Sequence, residues 1–170
     1  MSGLFANVIT RIHYNQSLGE LLDNRSIIEK VVKQQFEFAK IICDNGLVPI
    51  IEPEVDINIS DKEEAELILK EVITEYLDKW NKDDLIMFKF TIPTKENLYL
   101  DLYNYECVVR IVALSGGYSI DDACRLLKKN DKMIASFSRA LVQNVFVYQT
   151  DEEFDNALSV AINEIYEASF

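Results

Sequence analysis

Two rhythms of apolar and polar residues take turns along this 170-residue chain. Short apolar runs bounded by turn-forming residues, the mark of strands, occur at Leu4–Ile12, Leu47–Ile51, Leu85–Ile92, Val108–Leu114 and Met133–Phe137. Between them lie stretches whose apolar residues recur three and four apart, as in a helix that buries one side. Tyr14 to Asn24, holding Gly19, reads as a polar loop. Ser26 and Glu29 have the capping-box spacing, and Ile27, Val31, Phe38 and Ile42 make a helical stripe that stops near Asn45-Gly46. Ser60 is placed to cap a helix from 61 to about 79, with Leu67, Leu69, Val72, Ile73, Tyr76 and Leu77 inward. Pro93-Thr94 opens about ten helical residues through Leu98, Leu102 and Tyr103. Ser119 caps 120 to 129, with Ala123, Leu126 and Leu127 inward, and Thr150 caps a last helix running to about Ala168.

Strand followed by helix, about five times over with no linker or repeat, predicts a single α/β domain over residues 1–170 with parallel strands and covering helices. About five βα units suit either an open doubly wound sheet or part of a (β/α)₈ barrel. Polar residues bear on that choice, because barrel enzymes gather their working groups at the C-terminal ends of strands. Glu52 and Glu54, Lys89, Ser115-Gly116-Gly117 and Ser138-Arg139 all stand at such ends.

Lys89 changes the picture most. Counted in twos, Ile86, Phe88, Phe90 and Ile92 fall on one side of its run, and Leu85, Met87, Lys89 and Thr91 on the other. A lone lysine in a strand is most often an edge gatekeeper or a snorkelling side chain, so only its company can give it a chemical reading.

Composition narrows the rest. A hydrophobic share of 49% suits one ordinary core, and a formal charge of -12 argues against nucleic acid and against an anionic membrane surface. Cys43, Cys107 and Cys124 form no CxxC pair and read as reduced core residues. With His13 the only histidine, a histidine-rich metal site is out of reach, and neither a metal nor a cofactor is expected. No apolar run long enough to span a bilayer and no basic-then-apolar leader is seen, so a cytoplasmic protein is expected.

The segments Gly46-Leu47-Val48-Pro49-Ile50-Ile51-Glu52-Pro53-Glu54, Phe88-Lys89, Val112-Ala113-Leu114-Ser115-Gly116-Gly117 and Ser136-Phe137-Ser138-Arg139-Ala140-Leu141, in this order, resemble class I fructose-bisphosphate aldolase. The resemblance runs from about Ile28 to Ser169. It is nearest the shorter bacterial type, as in Glu29-Lys30-Val31-Val32-Lys33-Gln34-Gln35 and Thr91-Ile92-Pro93-Thr94-Lys95. It implies a partial TIM barrel holding about strands four to eight, a sugar-phosphate substrate, and Lys89 as the lysine that forms a Schiff base with the ketose. It further implies Glu52 as general acid/base, Glu54 as a supporting charge, and a phosphate site at Ser115, Gly116, Gly117, Ser138 (where other members carry glycine) and Arg139.

The chain also departs from that pattern. The family has eight βα units, and this sequence starts just before the fourth, so an open barrel is expected that calls for a second copy or a complementing half. Where the family has a Lys-x-Arg pair, Asn7 and Ile9 stand, with Arg11 two places on. A neighbouring cation matters because an ordinary lysine is almost wholly protonated at neutral pH and nearby carboxylates favour that form. Three readings therefore compete: an aldolase completed by another half, a non-catalytic half-barrel that interacts or binds sugar phosphate, and a different Schiff-base lyase acting on sugar phosphates.

Overall fold

The computed structural model describes residues 25–170. In chain order it has helix α1 (Arg25–Asp44), strand β1 (Ile50–Ile51), α2 (Lys62–Leu77), β2 (Ile86–Thr91), a 3-10 helix (Leu100–Asn104), β3 (Val108–Leu114), α3 (Ile120–Leu127), β4 (Ile134–Ala135) and α4 (Asp151–Ala168). The four strands form one parallel sheet in the order β1-β2-β3-β4. Strands that neighbour one another in sequence and run parallel need a covering connection each time, which α2, the 3-10 segment and α3 supply. The α/β architecture and the parallel sheet expected from the alternating rhythms are observed. No helix among the described residues is long and apolar enough to cross a membrane.

The period-two pattern of β2 explains where the core lies. Ile86, Phe88 and Phe90 are wholly buried on the helix-covered face of the sheet, while Met87 and Lys89 on the other face stay partly open. Phe88 stacks on Phe90 at 5.3 Å, Phe90 on Tyr99 at 3.9 Å, and Phe36 of α1 reaches Phe88 at 6.2 Å. Such aromatic contacts add to the burial of large apolar surface in the core. Burial also pushes the Tyr99 phenol well above its ordinary range. Arg25 at the start of α1 ties that helix to α2 through Glu71 at 2.8 Å and through Glu75, with Glu29 at 3.0 Å on its own helix.

Two buried charges hold the start of α2 against the exit of β2. Lys62 pairs with Glu66 four residues on, and its Nζ donates to the Ile92 carbonyl at 2.9 Å and to Thr94 Oγ1 at 3.1 Å. Glu66 accepts the Thr94 N–H at 2.9 Å, so both buried ions have several partners and the cost of taking them out of water is offset.

Several boundaries differ from the sequence expectations for local reasons. Ser26 lies within α1, which already includes Arg25. Asp61, not Ser60, is the N-cap of α2, and it caps without a side-chain bond. No α-helix follows Pro93-Thr94: Asn97 takes a positive φ of 61°, which breaks a helix there and leaves only the 3-10 turn. The outer strands are two residues long each, and among the described residues β1 and β4 each have one neighbour within the sheet. Leu67, expected inward, is partly exposed. Ser119 and Thr150 do cap α3 and α4, the latter in a full capping box with Glu153. The strand expected at Leu4–Ile12, the loop at 14–24, and Asn7, Ile9 and Arg11 lie outside the described residues.

Candidate functional site

The parallel register sets one row of side chains beside the next. Ile51 pairs with Phe88, so the following residues, Glu52 and Lys89, come level; Lys89 in turn pairs with Val112 and Thr91 with Leu114. Since side chains alternate across a strand, Glu52, Glu54, Lys89 and Leu114 point to the face opposite the aromatic core. The result is an ion pair, Lys89 Nζ to Glu52 Oε2 at 3.1 Å, at the C-terminal end of the sheet. The lysine side chain is 24% exposed and the glutamate 49%, so the pair stands half in solvent.

A cavity of about 150 Å³ lies beside it, lined by Glu52, Glu54, Lys89, Leu114, Ser115, Gly116, Ser136, Ser138 and Arg139. Every residue singled out from the sequence for catalysis or phosphate binding is brought here except Gly117, which adjoins the cavity without lining it. Ser136 and Leu114 were not picked out. Their signal was the same alternation: Ala113 pairs with Ala135, so Leu114 and Ser136 come level with each other and with Glu54 and Thr91.

The charges in the cavity balance, two carboxylates against two cations. Arg139 makes no ion pair among the described residues, which leaves its guanidinium free to meet an anion. Ser115-Gly116-Gly117-Tyr118 is a tight turn closed by the Tyr118 N–H donating to the Ser115 carbonyl at 2.9 Å. Both central residues have positive φ, 61° at Gly116 and 107° at Gly117, a backbone that glycine adopts without the usual steric cost. Among the described residues, neither glycine N–H has a protein acceptor. Consecutive N–H groups without protein acceptors in a turn are groups that an anion can meet.

The first turn of α3 is a poorer anion seat than its capped start suggests. The Ile120 N–H already donates to Gln143 Oε1 at 2.9 Å and the Asp122 N–H to Ser119 Oγ at 3.2 Å. Asp121 and Asp122 add negative charge there, and Arg125 beside Asp122 holds that carboxyl below the usual range. Elsewhere, burial pushes the thiols of Cys43, Cys107 and Cys124 up, the last to about 11, so none is poised as a nucleophile.

A lysine, two carboxylates and a glycine turn, all at the C-terminal ends of parallel strands, have the layout of a β/α-barrel site. No family model matches the chain. Over 146 residues it is 55% identical to the fructose-bisphosphate aldolase class 1 of Clostridium acetobutylicum, a match that covers 86% of this chain and 50% of that protein. The resemblance read from the residues is thus matched by a named homologue, and the chain spans about half the length of the curated relative it matches.

Proposed function

We propose that this chain carries the Schiff-base site of a fructose-bisphosphate aldolase-like lyase and works when a complementing barrel half, or a second copy, covers its open margins. The observation that carries this reading is the Lys89–Glu52 pair at 3.1 Å in one cavity with Ser115, Gly116 and Arg139. In this role the Lys89 amine adds to the ketone carbon of fructose 1,6-bisphosphate or dihydroxyacetone phosphate and loses water to form an imine. The protonated imine then takes up the electron pair released when the bond between the third and fourth carbons breaks, freeing glyceraldehyde 3-phosphate. Glu52 is within reach to move the protons of those steps, and Glu54 adds a second negative charge beside it. Ser115, Gly116, Gly117, Ser138 and Arg139 bind one substrate phosphate through N–H, hydroxyl and guanidinium donors. No cofactor or metal enters this scheme, and the reading goes with a single-domain cytoplasmic protein.

The half-length match and the apolar side chains exposed at both ends of the sheet favour a second reading, a non-catalytic half-barrel that retains the phosphate site for binding. One experiment separates the two. Incubate the full chain with dihydroxyacetone phosphate, reduce with borohydride, and search for an adduct on Lys89 by mass spectrometry. An adduct that vanishes in Lys89→Met supports the lyase; no adduct, while the same ligand still protects the fold against heat, leaves only the binding role.

A further inference from the structure

The loop between β1 and α2 is fastened to the exit of β2 at both of its ends. Near its start, the Val55 N–H donates to Thr91 Oγ1 at 3.1 Å and the Thr91 hydroxyl donates back to the Val55 carbonyl at 2.7 Å. Near its finish, Lys62 at the head of α2 reaches the Ile92 carbonyl at 2.9 Å. The two attachments leave Ile57 little choice of position. Its Cγ2 lies 2.9 Å from where a Cβ on Gly116 would stand, and its Cδ1 lies 3.4 Å from the same point on Gly117. The Thr91 methyl closes the other side of Gly116 at 3.4 Å.

We infer that Ile57 is a positioning residue for the anion-binding turn, packing against Gly116 and Gly117 so that their N–H groups are held towards the cavity. Three observations lead there. The glycine turn has two positive-φ residues that many other backbone states would suit equally well, so something outside it must select one. The nearby α3 terminus has its first N–H groups engaged and two aspartates beside it, so an anion depends on the turn. The side chain set against the turn is only half-buried, so it is not needed to fill the core, and it takes up the space that a Cβ on Gly116 would occupy. Ile57 thereby joins the exit of β1, where Glu52 and Glu54 stand, to the turn that holds the phosphate, one loop serving both parts of the cavity.

The role rests on the phosphate reading of the turn, and the test keeps the two apart. Inorganic phosphate is titrated into the full chain while the amide signals of Gly116 and Gly117 are followed by NMR, for the wild type, Ile57→Ala and Ile57→Val. Ile57→Ala is expected to bind phosphate on the order of ten-fold more weakly, the scale of a displaced binding group. Ile57→Val, which keeps a branch at the contact, is expected to stay near wild type, and melting temperatures are expected to change little across the three. Phosphate bound equally well by Ile57→Ala overturns the role of Ile57 and leaves the phosphate site standing. A wild type whose glycine amides ignore phosphate overturns both. A lowered melting temperature with unchanged affinity makes Ile57 a packing residue only and likewise overturns the inference.

Discussion

The middle of the sheet and its two margins are built from similar residues and end in opposite states. In β2 and β3, Ile86, Phe88, Phe90 and Ala113 are wholly buried, each strand having a neighbour on either side and helices beneath. At the β1 margin Leu47 and Val48 before the strand, Ile50 in it, and Phe38 and Ile41 of α1 are exposed; on the β4 side so are Val160 and Tyr166 of α4 and Phe170 just after it. Leu47 is 65% exposed and Phe170 90%, whereas the same residue types in the centre are hidden. Among the described residues the marginal strands have one neighbour and the central ones two, and the exposure follows that difference. A strand at a margin offers unpaired N–H and C=O groups, and apolar side chains beside them form the kind of patch that ordinarily meets a partner. The cavity belongs to the finished middle, since Lys89 stands on β2 and Ser115 directly after β3, while its two remaining flanks, Glu52 and Arg139, follow β1 and β4, the outer strands among the described residues.

The largest expected effect comes from breaking the middle. Phe88→Ala removes a ring with no exposed surface and two aromatic neighbours, and a loss of about 3–5 kcal/mol of unfolding free energy is expected from such a cavity. Urea denaturation followed by circular dichroism measures it. A loss under about 1 kcal/mol would mean that the aromatic stack is not the organising core and that the margins are no weaker than the centre.

What the sequence revealed follows the same division. The β2 pattern was legible because Phe88 and Phe90 alternate strictly with Met87 and Lys89, and only one burial arrangement satisfies that alternation. The helix expected after Pro93 was not real, because the deciding fact is the positive φ of Asn97. Asn97 exchanges bonds with the far side of the fold: its N–H donates to Asn130 Oδ1, and its Oδ1 accepts the Asp131 N–H. Contacts some thirty residues away leave no periodic trace. The cavity was legible as separate pieces on strand ends, but Ile57 was not, since nothing in Val55-Asp56-Ile57-Asn58 distinguishes a wedge from a loop residue until Gly116 is placed against it. The buried Lys62–Glu66 pair had a visible i,i+4 spacing, which on most helices marks an exposed pair, so its burial could not be read from spacing alone.

A smaller effect is expected at the β4 margin. Helix α4 buries only Ala161 and Ala168 among its side chains, so it depends more than the central elements on its own ends. Thr150 accepts the Glu153 N–H while Glu153 accepts the Thr150 N–H, and Thr150→Ala is expected to cost about 1 kcal/mol, measured as the unfolding free energy at neutral pH. The same cap carries a pH signature. The bond from the Thr150 backbone holds the Glu153 carboxyl below its ordinary range, so its contribution is complete above about pH 4.3, where an unfolded glutamate is ionised, and is lost as the pH falls through the lower folded value. In Thr150→Ala, whose backbone N–H still bonds the carboxylate, part of this acid sensitivity should remain; in Glu153→Gln it should be gone.

The smallest effect is the most informative about the margins. Phe38 lies on α1 beside Ile42, Pro49 and Ile50, lining a groove along the β1 side, and it is 56% exposed. Serine and phenylalanine have similar helix propensities, so Phe38→Ser changes little except apolar contact. If the groove is open in solution, less than about 1 kcal/mol is expected, since over half of the ring was in water already. Beside the several kcal/mol expected at Phe88, whose ring meets Phe36 of the same helix α1, that contrast would confirm a finished middle with a bare margin. A cost above about 2 kcal/mol would instead mean that the groove is covered when the chain is in solution. Its dependence on protein concentration would then tell a second copy, whose cover dissociates on dilution, from a cover supplied by the chain itself, which does not.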